Sequence, residues 1–131
     1  PEPGLPLIGR VAGGAPILAA EHVERRVAID PAVFRPRADY LLRVQGDSMI
    51  DAGILSGDLV AVRRASRPEP GQIAVVRLDD EVTVKTWRPT GARVVLEPAN
   101  AAYRPLTVDP RRTALTVEGV VVGVLRLGAA P

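Results

Sequence analysis

The stretch QIAVVRLDDEVTVKTW, residues 72–87, decides the fold class. Two apolar-rich runs flank the acidic pair Asp79-Asp80. In the second run Val82 and Val84 fall on one face of an extended chain, and Glu81, Thr83, Lys85 and Trp87 on the other, because side chains alternate along a strand. An acidic dipeptide between two such runs predicts a β-hairpin.

Working outward, the pattern predicts strands over residues 40–44, 58–63, 72–78, 81–87, 93–97 and 114–127, with turn chemistry at 67–71, 78–81 and 89–91. Short strands at close spacing predict an all-β domain, mainly antiparallel and barrel- or sandwich-like, with one or two short helical turns. One such turn is expected at 31–34, where Asp30 caps and Pro31 takes the first helical position. A second is expected to start at Ser48, because Met49, Ala52, Gly53 and Ile54 do not alternate. Residues 1–6 read as an extended Pro/Gly linker remnant. Residues 7–20 read as strand, loop and strand around Gly13-Gly14, and 21–29 alternate in part. The domain is expected to run from 7 to 128.

The chain has 131 residues, 47% of them hydrophobic but only 3% aromatic. That suffices for one domain with a core of Val, Leu, Ile and Ala. There is no cysteine, which removes disulfides, thiolate metal sites and a cysteine nucleophile. One histidine, His22, leaves no multi-histidine metal site and a weak basis for a Ser-His-Asp triad. No metal or cofactor is expected. No apolar run reaches the ~18–20 residues of a membrane span, and the first ten residues lack signal-peptide layout, so a soluble, intracellular protein is expected. Net charge is +2 with acids among the arginines, which is no nucleic-acid stripe.

Lys85 is the only lysine among 17 basic residues, the rest being arginine. Arginine cannot lose its proton in a protein, whereas a buried lysine can. Lys85 is therefore the one side-chain amine available as a base. Bringing it from about 10.4 to about 7 costs roughly 4–5 kcal/mol, at about 1.36 kcal/mol per pH unit. Burial under apolar cover can do this, and residues 11–17 supply loose apolar material. Ser48 follows Gly46-Asp47 at the end of a strand; a helical turn beginning there would place free backbone N–H groups beside its hydroxyl. Each residue alone has an ordinary reading, Ser48 as a cap and Lys85 as an exposed strand lysine. Together they form a nucleophile and its remaining base.

Four motifs in order then resemble the LexA family of self-cleaving repressors. They are Arg43-Val44-x-Gly46-Asp47-Ser48-Met49-x-Asp51-x-Gly53-Ile54-x-x-Gly57-Asp58-Leu59, Asp80-Glu81-Val82-Thr83-Val84-Lys85, the upstream Gly9-Arg10-Val11-Ala12-x-Gly14-x-Pro16-Ile17-Leu18-Ala19, and the tail Val117-Glu118-Gly119-Val120-x-x-Gly123-Val124-Leu125-Arg126. The serine-to-lysine separation of 37 also fits. The resemblance covers residues 7–127. It implies Ser48 as nucleophile, neutral Lys85 as general base, and the amides of Asp47 and Ser48 as oxyanion donors. Met49 is expected to pack beneath the nucleophile and Thr83 to orient the amine. The cleavage loop falls at about 9–20. The family cuts Ala-Gly; alignment on Pro16-Ile17-Leu18 puts the bond at Gly13–Gly14, while a literal Ala-Gly stands at Ala12–Gly13.

The resemblance further implies bacterial cytoplasm, a homodimer through the C-terminal strand at about 117–127, cleavage stimulated by RecA filaments on single-stranded DNA, and operator DNA bound by an N-terminal winged helix-turn-helix domain that this chain lacks. That tail, apolar at Val120-Val121-Val122, reads either as an ordinary core strand or as an unprotected strand inviting a two-fold partner, and the resemblance favours the second. Two other self- or peptide-cutting families share the serine-lysine chemistry. UmuD-like polymerase subunits differ in serving mutagenic repair. Type I signal peptidases act on other chains at a membrane and need an apolar anchor. A non-catalytic dimerisation module that keeps the motifs is a third alternative.

Overall fold

The computed structural model describes residues 3–128. Nine strands form one sheet: β1 Leu5–Ile8, β2 Val23–Val27, β3 Tyr40–Arg43, β4 Leu59–Arg63, β5 Ile73–Leu78, β6 Glu81–Thr90, β7 Arg93–Glu97, β8 Leu106–Val108 and β9 Leu115–Leu125. Their spatial order is β2-β1-β3-β4-β9-β5-β6-β7-β8. Every pairing is antiparallel except β1 with β3. The all-β expectation holds. Three single-turn 3-10 helices interrupt the strands, at Ala20–His22, Pro31–Val33 and Ile50–Ala52. No helix among the described residues is long and apolar enough to cross a membrane.

The hairpin read from residues 72–87 is present. Leu78 pairs with Glu81 across Asp79-Asp80, and Asp79 takes a positive φ of 51°, a backbone region that Asp tolerates better than most residues. Asp30 caps Pro31–Val33 by accepting from Ala32 N at 2.9 Å. Several boundaries differ from expectation. Leu5 and Pro6, expected in the linker, pair with Val27 and Arg26 in β1. Only one strand precedes residue 20, not two; the second begins at Val23. β6 runs on to Thr90 because Pro89 pairs with Val94, moving the turn to Gly91-Ala92. β8 was not expected: three residues against β7 are too few to show alternation.

β9 is the seam of the molecule. Leu115–Val120 pairs with β5, and Val120–Leu125 with β4. Of the two readings of the tail, the structure has the ordinary core strand within the chain: it is hydrogen-bonded along its length, and past Val120 its one strand neighbour among the described residues is β4. Gly119 sits at the irregularity between the two halves with φ 152°. A Cβ there would lie 2.5 Å from Arg63 O, so only glycine lets β9 pass so close to β4.

The sheet folds over itself to enclose apolar clusters. The main one joins Ile8, Tyr40, Leu42 and Val60 from one half to Val75 and Val84 from the other, with Ile17, Met49 and Ile54 filling the gap. Phe34 and Ala38 close a second cluster over β1, β3 and β4. A third lies between β5, β7 and β8. The functional interest lies at the end of the first cluster, where the β3–β4 connection meets β6.

Candidate active site

β3 ends at Arg43, and the chain must turn before the short helix Ile50–Ala52. Gly46 makes that possible with φ 87°, a left-handed value that costs glycine nothing. Ser48 stands in this turn, two residues before the helix rather than at its start as expected. Met49, next to it, is 2% exposed and packs into the main core, which anchors the turn from below.

Four hydrogen bonds fix the turn from outside. Asp47 O accepts from Asn100 Nδ2 at 2.9 Å, and Ser48 O accepts from Ala99 N at 2.8 Å. Ala99 O in turn accepts from Asp51 N at 2.8 Å. The Tyr103 hydroxyl also donates to Asp47 Oδ1, and this carboxylate pushes the Tyr103 pKa up. The loop from Pro98 to Tyr103 thus clamps the turn that carries Ser48. Sequence reading passed over Ala99, Asn100 and Tyr103. Their one local signal is an Asx turn, Asn100 Oδ1 accepting from Ala102 N at 2.9 Å, which says nothing about what the loop holds. Among the described residues no acceptor takes the amide hydrogens of Asp47 or Ser48, leaving both available to an oxygen brought up against the serine.

Lys85 arrives from the middle of β6. Its Nζ lies 2.9 Å from Ser48 Oγ, 2.5 Å from Thr83 Oγ1 and 3.2 Å from Val84 O. Thr83 precedes it by one strand period, so both side chains leave the same face. Burial lowers the Lys85 pKa. No carboxylate pairs with it among the described residues. Three oxygens meet the three hydrogens of an ammonium. In the neutral amine, two hydrogens suffice for Thr83 Oγ1 and Val84 O, and the lone pair is left facing the Ser48 O–H. The arrangement suits both protonation states without moving a heavy atom.

A cleft of about 300 Å³ opens beside the pair, lined by Gly9–Val11, residues 42–46, Ser48, Met49 and residues 80–84. Ala12, Gly13 and Gly14 are exposed. Gly13 lies against Asp80: a Cβ added to it would come within 2.7 Å of the Asp80 side chain. The segment is held at several backbone points. Ala12 N donates to His22 Nε2 at 2.9 Å, His22 Nδ1 meets Ile17 O at 3.1 Å, and Arg77 Nη1 donates to Ala15 O at 2.7 Å. Ile17 is anchored in the core at 1% exposure. Arg77 is itself buried and paired with Glu118 of β9 at 3.0 Å. The structure therefore brings Ser48, Lys85, Thr83 and Met49 together, and leaves Gly13–Gly14 and Ala12–Gly13 exposed and unbonded to the Ser48 turn. His22 and Arg77 are further residues that sequence reading did not single out for this segment.

A family model described as Peptidase S24-like matches residues 6–122. The chain is similar to the LexA repressor of Azoarcus sp. (strain BH72), 61% identical over 123 residues, which is 94% of this chain and 61% of that protein. It is similar to the LexA repressor of Shewanella amazonensis, 55% identical over 128 residues, 98% of this chain and 62% of that protein. For the LexA repressor of Aromatoleum aromaticum the figures are 56% over 126 residues, 96% and 62%. The chain spans about three fifths of the length of these curated relatives.

Proposed function

The chain belongs to the peptidase S24-like family, and from that premise we propose that it is the self-cleaving part of a LexA-type repressor, cutting its own backbone at Gly13–Gly14 with Ser48 as nucleophile and Lys85 as base. The observation that carries the proposal is the 2.9 Å approach of Lys85 Nζ to Ser48 Oγ within a half-buried site that favours the neutral amine.

The chemistry follows from the groups present. Neutral Lys85 takes the Ser48 proton as Oγ attacks the Gly13 carbonyl carbon. The oxygen that gains charge faces the N–H groups of Asp47 and Ser48, whose donors are already oriented by the 98–103 clamp. Collapse breaks the C–N bond, and the Lys85 ammonium returns its proton to the Gly14 nitrogen. Water, deprotonated by the amine, then releases Gly13 from the serine ester. The bond must first move into the cleft beside Ser48. Its exposed position keeps the chain intact until something favours the docked form, by a shift in population. In this proposal a RecA filament on single-stranded DNA supplies that bias, cleavage relieves repression of DNA-damage genes in the bacterial cytoplasm, and operator DNA is bound by a part of the protein outside residues 1–131. The half of β9 beyond Val120, with Val124 41% exposed, pairs with the same segment of a second copy to form a homodimer.

Mass spectrometry of the purified chain after incubation near pH 10 tests the reading. Two fragments meeting at Gly13–Gly14, absent in Ser48→Ala and Lys85→Ala, are expected. A cut at Ala12–Gly13 would move the bond by one residue; an intact chain, or a cut that survives Ser48→Ala, would refute the proposed chemistry.

A further inference from the structure

His22 lies at the end of the short helix Ala20–His22 and is 3% exposed. It touches the backbone of the preceding segment at three places. Its carbonyl accepts from Gly9 N at 3.1 Å, its Nε2 from Ala12 N at 2.9 Å, and its Nδ1 lies 3.1 Å from Ile17 O. An amide N–H can only donate, so Nε2 must be the bare nitrogen, and the ring hydrogen sits on Nδ1, where Ile17 O accepts it. Each ring nitrogen is matched in that one tautomer. The two ring bonds fall on either side of Gly13–Gly14.

We infer that His22 is a positioning residue that pins the cleavage segment in its exposed place, and that the bond reaches Ser48 only when Ala12 N lets go of the ring. The inference rests on reading Gly13–Gly14 as the bond that is cut. Ile17 is fixed in the core, so the strip from Ala12 to Gly14 moves as a flap hinged near that residue. Ala12 N is the bonded atom closest to the bond on its N-terminal side. Carrying the strip into the cleft breaks this contact, and Gly13 leaves Asp80 at the same time. An apolar side chain of similar volume would fill the pocket equally well and hold no backbone atom. What histidine adds there is an acceptor and a donor set across a ring's width.

Three measurements test the pin. In a Ser48→Ala background, where nothing is cut, amide exchange over residues 12–15 is compared between His22, His22→Phe and His22→Gln. Phenylalanine fills the space without bonding, and glutamine carries a carbonyl acceptor and an NH2 donor group. Exchange about tenfold faster with Phe, restored by Gln, is expected from the loss of two ordinary hydrogen bonds. With Ser48 present, His22→Phe should self-cleave faster at alkaline pH and His22→Gln at the parent rate. In the unaltered chain, imidazole nitrogen NMR should show a protonated Nδ1 and a bare Nε2, a readout that needs no variant to fold. Unchanged exchange, or the opposite tautomer, overturns the pin. Faster exchange with unchanged or slower cleavage overturns its part in cleavage while leaving the Ser48–Lys85 chemistry standing. Absence of any cut between Ala12 and Gly14 in the unaltered chain removes the basis of both, whatever the exchange shows.

Discussion

Lys85 meets Ser48 across 2.9 Å with Thr83 Oγ1 and Val84 O as its other partners. A half-buried amine without a carboxylate is biased toward its neutral form, whose lone pair here faces the Ser48 hydroxyl. Because burial lowers its pKa from 10.5, the cleavage rate should climb with pH and level off before the ordinary lysine value. A rate flat from about pH 7 to about pH 10 would contradict a titrating amine of this kind. Lys85→Arg, which stays charged, should lower the plateau by roughly 100- to 10,000-fold, the worth of a positioned base. The same shift bears on stability. The unfolded chain binds more protons between the folded and unfolded values, so stability should rise with pH through that window, up to about 10.5. Lys85→Met should abolish the rise, read from urea midpoints across that range.

Thr83→Val removes an oxygen that accepts from the ammonium. The charged form loses more than the neutral one, so the pH midpoint of cleavage should fall further. The amine also loses its orientation, so the plateau should drop by about tenfold, for roughly 1.4 kcal/mol of lost positioning. A lower plateau with an unmoved midpoint would separate Thr83 from the titration of Lys85.

Gly13→Ala should cleave faster than the parent. The methyl group would collide with Asp80 in the exposed position, and the segment would have less freedom to lose on docking. The entropic part alone, about 0.4–1 kcal/mol, gives roughly a two- to fivefold gain. An unchanged or slower rate measured at one alkaline pH would count against both arguments.

Arg77 and Glu118 are 10% and 8% exposed and pair at 3.0 Å. Removing either charge alone strands the other in the core, which should cost about 3–5 kcal/mol. Arg77→Met with Glu118→Gln together should cost less than the two singles summed, which a double-mutant cycle in denaturant resolves. The double variant should also cleave faster, because Ala15 O loses its donor.

Asp58, 2% exposed, accepts from Arg126 through two bonds of 2.7 Å and from Leu55 N at 2.7 Å. The Arg126 guanidinium is the chief reason its pKa is lowered from 3.8. The stability this supplies is present above about 3.8 and lost as pH falls through the lower folded value. Asp58→Ala should remove that acid dependence and destabilise the chain at neutral pH, by ~1 kcal/mol for the lost N–H acceptor alone. Thermal melts at pH 3 and pH 7 check both.

Much of this molecule is written in near neighbours. Strict alternation from Glu81 to Trp87, the Asp79-Asp80 turn and the Asp30-Pro31 cap are effects of adjacent residues, so strand, turn and helical turn could be read before any contact was known. The proposed pair was legible for a different reason: a chain with one lysine and one histidine has few bases to activate a serine, and the spacing of its motifs resembles a family that uses that pair. The distance between the two side chains could not be read that way. It depends on β6 crossing the end of the first cluster where the Ser48 turn lies, held there by Met49 below and the 98–103 loop outside. Nor did local pattern place β9, since one apolar run serves two neighbours only after the sheet has folded on itself. His22 and Arg77 were opaque for the same reason. A lone histidine and one arginine among many carry no signal until folding removes their water and leaves the backbone of residues 12–17 as their partner, because a buried polar atom must find its hydrogen bond wherever the chain happens to pass.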